Sequence, residues 1–131
     1  MIKILKLDEA IQYKDTSKIK YLYHTVFSNR TFEYVMKYGI RADSKGLVYL
    51  AEKPIIKKAL NPKFTDGIST RAVFKVTIPD NRNLYDWREF WCDDNGEEID
   101  FDHQYDNNNP FYCYTGDIPK QYVKLYKEFE Y

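Results

Sequence analysis

Ten residues, RAVFKVTIPD from Arg71 to Asp80, set the strongest constraint on the fold. Ala72, Phe74, Val76 and Ile78 alternate with Val73, Lys75 and Thr77 until Pro79-Asp80 ends the run. Successive side chains of an extended chain point to opposite faces, so the alternation predicts a strand with one buried face. Such a strand needs ladder partners at its edges and a layer over its apolar side.

The rest of the chain offers both. YLYHT, Tyr21–Thr25, is rich in β-formers and puts Leu22 and His24 on one face, with Tyr21, Tyr23 and Thr25 on the other. Leu47–Ala51 reads as another short strand, IKILKL near the start as a first one. The tail FYCYTGDIPKQYVKLYKEF reads as two strands around a Gly116-Asp117 turn, with Val123 and Leu125 alternating against Lys124. Helices supply the cover. Ser28 is a fair N-cap, Phe32, Val35 and Met36 form a helical stripe, and Gly39-Ile40 fits a glycine C-cap with its apolar partner. Pro54 opens a second predicted helix carrying Ile55, Ile56, Ala59 and Leu60, which Asn61-Pro62 stops. Asp8–Lys20 is a short helix or a connecting loop, Asn83–Trp91 an irregular or helical link, and Asp93–Asn109 a loop by composition. The expectation is one α+β domain over 1–131, built on a twisted, mostly antiparallel sheet with a few small helices. A doubly wound α/β fold is disfavoured because the helix–strand alternation does not continue.

Composition narrows the function classes. Lys+Arg and Asp+Glu are each 20, so no global field draws nucleic acid or an acidic membrane surface, although local patches remain open. Aromatic residues make up 18% of the chain, more than a minimal core requires, which leaves rings to line a site. Cys92 and Cys113 lie far apart without metal-ligand spacing and read as reduced core thiols. The N-terminus MIKILKLDEA lacks the run and cleavage site of a signal peptide, and no stretch is long enough for a membrane span. The expected setting is cytoplasmic, with no membrane partner.

Most motif readings close on spacing. In CDDNGEEIDFDHQYDNNNP, taking Gly96 as the sixth position of a calcium loop puts Trp91 at the first ligand position, so no metal site is expected. His103 lies within that acidic loop. The five glycines are dispersed, no serine sits in GxSxG, and neither cysteine has a histidine beside it in sequence. His24, at the end of an apolar, aromatic strand, remains. Alone, such a histidine is more often structural than catalytic.

Its neighbours add a resemblance. A strand ending Tyr-His-Thr, a capped helix ending Gly-Ile, then Val-Tyr-Leu-Ala and the closing YTGDIPKQYV resemble the ADP-ribosyltransferase-like fold. Within it, the likeness is to the group that includes the DNA-targeting ADP-ribosyltransferase toxins and the RNA 2′-phosphotransferases. It covers Tyr21–Ala51 well, and Ala72–Ile78 and Phe111–Val123 loosely. The resemblance implies NAD as cofactor, with His24 and Thr25 at the ribose and Tyr49 stacked on nicotinamide. Arg41, with Arg71 or Lys53, would meet the phosphates. The third motif departs from the family, since Phe111–Thr115 holds no acid. Tyr112 or Tyr114 would stand there as polar handles, leaving proton acceptance to Asp117 or to an acid of the Asp93–Asp106 loop.

The expected function is therefore NAD-dependent ADP-ribosyl transfer to a macromolecular target, protein or nucleic acid. A toxin or phage anti-defence role suits so compact a domain. The alternatives are a non-catalytic nucleotide- or protein-binding module of the same fold and, less favoured by the zero net charge, an RNA 2′-phosphotransferase.

Overall fold

The alternating run forms the strand it predicts, and the strand finds partners on both edges. The structure, a computed structural model, describes residues 13–57, 69–92 and 108–129. In chain order the elements are β1 (Tyr21–Val26), α1 (Asn29–Tyr38), β2 (Gly39–Ile40), β3 (Leu47–Ala51), β4 (Ala72–Thr77), β5 (Leu84–Asp86), α2 (Arg88–Trp91), β6 (Phe111–Thr115), β7 (Ile118–Pro119) and β8 (Val123–Glu128). Single 3-10 turns, Asn81–Asn83 and Lys120–Tyr122, lead into β5 and β8. Six strands make one sheet in the order β5-β6-β3-β1-β4-β8, while β2 and β7 pair separately. All these pairings are antiparallel, so the α+β class holds.

One face of the sheet carries Leu22, Val26, Phe74, Val76, Val48, Leu50, Tyr112 and Tyr114 into the main core. α1 covers part of it. Ser28 caps the helix by accepting from the Thr31 amide, Phe32 stacks on Phe74 at 5.9 Å, and Val35 is buried. Met36 departs from the predicted stripe: it is 43% exposed, because the buried strip is only as wide as Phe32 and Val35. The opposite face is covered at β3 and β6 by a second cluster, in which Leu47 and Cys113 pack with Trp87 and Trp91 around α2. Asp86 fixes this corner. Fully buried, its carboxylate accepts from the Lys14 and Arg88 amides and from the Arg88 guanidinium at 2.7–3.1 Å. A buried charge needs that many partners to offset its desolvation.

Several expectations change. The two tail strands do not pair with each other, because β3 and β5 already occupy both edges of β6; β8 instead extends the sheet beyond β4. The Asn83–Trp91 link contains β5 as well as α2. Residues 54–57 are not helical, since Thr70 captures them: its hydroxyl accepts from the Lys57 amide at 2.7 Å and its amide donates to the Lys57 carbonyl at 2.6 Å. Ala59, Leu60, the first predicted strand and the acidic loop with His103 lie outside the described residues. Among the described residues, no helix is long and apolar enough to cross a membrane.

Gly39 joins α1 to the β2–β7 pair at φ +93°, with its α-carbon pressed on the β7 backbone. An added Cβ would collide with the Ile118 carbonyl oxygen and approach Lys120 N to 2.7 Å. Gly39→Ala is therefore expected to cost about 2 kcal/mol or more, read as a lower urea midpoint with an unchanged m-value.

Candidate functional site

The sheet has a seam. β1 pairs with β4 over six residues and β3 with β6 over five, yet β1 and β3 share a single register pair, Tyr23 with Ala51. Beyond that pair a side chain takes the place of the ladder, and His24 Nδ1 bonds the Tyr49 carbonyl oxygen at 2.9 Å. A carbonyl can only accept, so Nδ1 carries the proton and Nε2 presents a lone pair. Nε2 has no hydrogen-bond partner among the described residues. Burial pushes the His24 pKa below its usual 6.5, against a smaller opposing effect of the Tyr49 carbonyl. The ring is thus neutral at neutral pH.

His24 lines a groove of about 530 Å³ between β1 and α1, with Val35 and Ile40 beside it. Arg30, Glu33, Tyr34, Lys37, Tyr38 and Arg41 also line it, so three cations face one acid. Tyr34 and Tyr38 are neighbours one helical turn apart, with ring centroids 5.0 Å from each other, and Lys37 Nζ lies 5.2 Å from the Tyr38 ring. Solvent reaches both rings. Such a groove can hold an aromatic ring, an anion and a hydroxyl that donates to Nε2.

The residues singled out from the sequence divide between this groove and other places. Arg41 joins His24 there. Tyr49 does not: alternation along β3 sends Val48 and Leu50 to the α1 side and Tyr49 to the Trp91 side. Its ring centroid is 6.2 Å from that of Trp91 and its side chain hydrogen-bonds Asp43. Burial raises the Asp43 pKa, but bonds from the Leu47 amide, Tyr49 and the Lys45 amide outweigh it and hold the carboxyl below its usual value. His24 therefore meets Tyr49 through its imidazole and the Tyr49 backbone carbonyl, not ring to ring. Thr25 Oγ1 donates to the Ile55 carbonyl at 3.0 Å. Tyr112 and Tyr114 are buried in the main core, and Asp117 accepts from the Ala42 amide at 2.7 Å, tying the turn after β6 to the end of β2. Arg71 is held by Asn29, the Phe129 carbonyl and Glu128, and packs 4.3 Å over the Phe32 ring. Lys53 is fastened through its backbone to Asn109.

Arg30, Glu33, Tyr34, Lys37 and Tyr38 were missed because α1 was read for its buried stripe. The signal was available in the outward spacing Arg30-Tyr34-Lys37-Arg41, which repeats every three or four residues, with Tyr38 one turn after Tyr34. Comparison of the chain with protein families, with curated proteins and with solved structures finds no match.

Two outcomes follow from this geometry. Tyr49→Phe keeps the ring against Trp91 but removes its bond to Asp43, so it should cost about 1 kcal/mol in urea unfolding and leave groove binding unchanged. Because the folded state lowers the His24 pKa, acid protonates the unfolded chain first. The His24 contribution to stability should be flat above about pH 7 and decline as pH falls through the 6.5 of a free imidazole. Urea midpoints between about pH 7.5 and about pH 5.5 should show a decline that is smaller in His24→Gln.

Proposed function

We propose that the chain is an ADP-ribosyltransferase-like protein that takes NAD into the His24 groove and transfers ADP-ribose to a macromolecular target. The observation that carries this reading is His24 itself, held neutral at the seam with Nε2 unbonded among the described residues, beside clustered cations and tyrosines. The groove volume falls in the range of small-molecule and cofactor sites, about 300–1,000 Å³. The order of motifs around His24 and the antiparallel α+β sheet agree with the resemblance.

In this reading Arg30, Lys37 and Arg41 hold the pyrophosphate, and Tyr34 or Tyr38 offers the π-face to the pyridinium that Tyr49 cannot offer from the other side of the sheet. His24 Nε2 accepts from a ribose hydroxyl and orients the sugar. When bound, NAD would supply an activated glycosidic bond with nicotinamide as the leaving group. The protein's part is to position the ribose and to accept the proton of the incoming nucleophile. β6 provides no carboxylate for that, and Asp117 is engaged with Ala42. Among the described residues, Glu33 is the acid that lines the groove.

A second reading has its own support. Tyr112 and Tyr114, where the family places its acid, are buried core residues, which favours a nucleotide-binding module without turnover. Calorimetry and transfer assays separate the two. NAD at millimolar concentration should bind the wild-type protein, with at least about tenfold loss in His24→Ala and in Arg41→Glu, the scale of one lost charged or buried hydrogen bond. Labelled NAD with a cell lysate should label a macromolecule, and Glu33→Gln should abolish labelling while NAD still binds. Binding without labelling selects the non-catalytic reading, and absence of binding removes both.

A further inference from the structure

Among the described residues, the sheet face opposite α1 is covered at its β3–β6 end and also beside Val73, which is fully buried, and Thr25, which donates to the Ile55 carbonyl. Across β1, β4 and β8 it carries Tyr21, Tyr23, Lys75, Lys124, Tyr126 and Lys127, and no acid points from these strands to that side. Ring contacts run across the same surface: Tyr23 meets Tyr126 edge-on at 5.1 Å, and Lys75 Nζ sits 3.8 Å from the Tyr21 ring. Tyr21 and Tyr126 are 49% and 53% exposed. Two features are costly unless something uses them. Lys75 and Lys124 stand directly opposite each other in the β4–β8 register, and like charges so placed destabilise a sheet. A register shift opposite Val73 and Phe74 makes a bulge in β8 that turns both Tyr126 and Lys127 to this side.

We infer that this face binds single-stranded nucleic acid, with bases stacked on Tyr21, Tyr23 and Tyr126 and phosphates on Lys75, Lys124 and Lys127. Alternate residues of β1 place Tyr21 and Tyr23 about 7 Å apart, which separates successive π-platforms along an extended strand. Charge decides the occupant. The chain as a whole is neutral, while this face is cationic, so its complement is an anion that also presents flat rings. Glu52 lies at the margin, where it lines a small cleft with Lys20, Tyr21 and Tyr112. The inference stands on the side of the sheet away from the His24 groove and does not depend on NAD binding.

The test is fluorescence anisotropy with a labelled mixed-sequence 12-mer, as DNA and as RNA, beside the corresponding duplex and an oligoglutamate peptide. The single strand should bind best, with a slope of log K against log salt of roughly −2 for three phosphates neutralised. Tyr126→Ala and Lys124→Glu should each weaken binding about tenfold or more without lowering the melting temperature. Arg41→Glu should leave it unchanged. The DNA and RNA arms show whether the sugar is discriminated, and preference for either supports the inference. Equal binding of duplex or oligoglutamate, no binding of either single strand at low salt, or full binding by Tyr126→Ala overturns it.

Discussion

One hydrogen bond, from His24 Nδ1 to the Tyr49 carbonyl, holds the two halves of the sheet together where their ladder fails. On one side of that seam lies the β1–β4–β8 unit, and on the other β3–β6–β5. A regular ladder there would have satisfied the Tyr49 carbonyl with a backbone amide and left His24 an ordinary inward side chain. Replacing the amide with an imidazole does three things at once. It satisfies a backbone acceptor, fixes the tautomer, and leaves the second ring nitrogen as an acceptor at the edge of a groove. The same burial that lowers the His24 pKa keeps that acceptor from being lost to a proton near neutral pH.

The surroundings make this arrangement rigid. α1 is pinned at its start by Ser28 and at its end by Gly39, whose contact with β7 admits no side chain. Arg71 ties the first turn of α1 to the end of β8 through Asn29, Glu128 and the Phe129 carbonyl. Asp117 ties the turn after β6 to Ala42. The groove-lining face of α1 is thus set by contacts on both sides of the seam. Far from the groove, Cys113 belongs to the tryptophan cluster, where burial pushes its thiol up to about 12 and makes it chemically quiet.

What was legible in the sequence was local. Ser28 and Gly39 delimit α1 as their capping chemistry predicts, Ala72–Thr77 is the strand its period-2 pattern predicts, and Leu47–Ala51 is the short strand read from its run of β-forming residues. Pairing was less legible. Nothing in YTGDIPKQYV tells that β6 already has two neighbours, so the tail reads only as two strands around a turn until the sheet order is known. Tyr49 shows the same limit. Its backbone carbonyl does meet the His24 imidazole, but the face its ring takes depends on strand parity, and the tryptophans that receive it lie about forty residues away in sequence. Thr70 overrides the helix signal after Pro54 through two long-range bonds that no local pattern contains.

The two ends of the sheet's other face show how a neutral chain can still be specific. At β3–β6 that face is sealed by Trp87, Trp91 and Phe111, with Lys45 Nζ 3.8 Å from the Trp91 ring, so cation and aromatic are used internally. At β1–β4–β8 the same pairing of lysine with aromatic ring recurs, at Lys75 and Tyr21, but there the ring stays exposed. A cation over a ring is worth about 0.5–1 kcal/mol when exposed and more when desolvated. The sealed end therefore spends the interaction on the fold, while the open end gains most when something else covers it. Opposed Lys75 and Lys124 lean the same way, since an anion placed between them would relieve their repulsion.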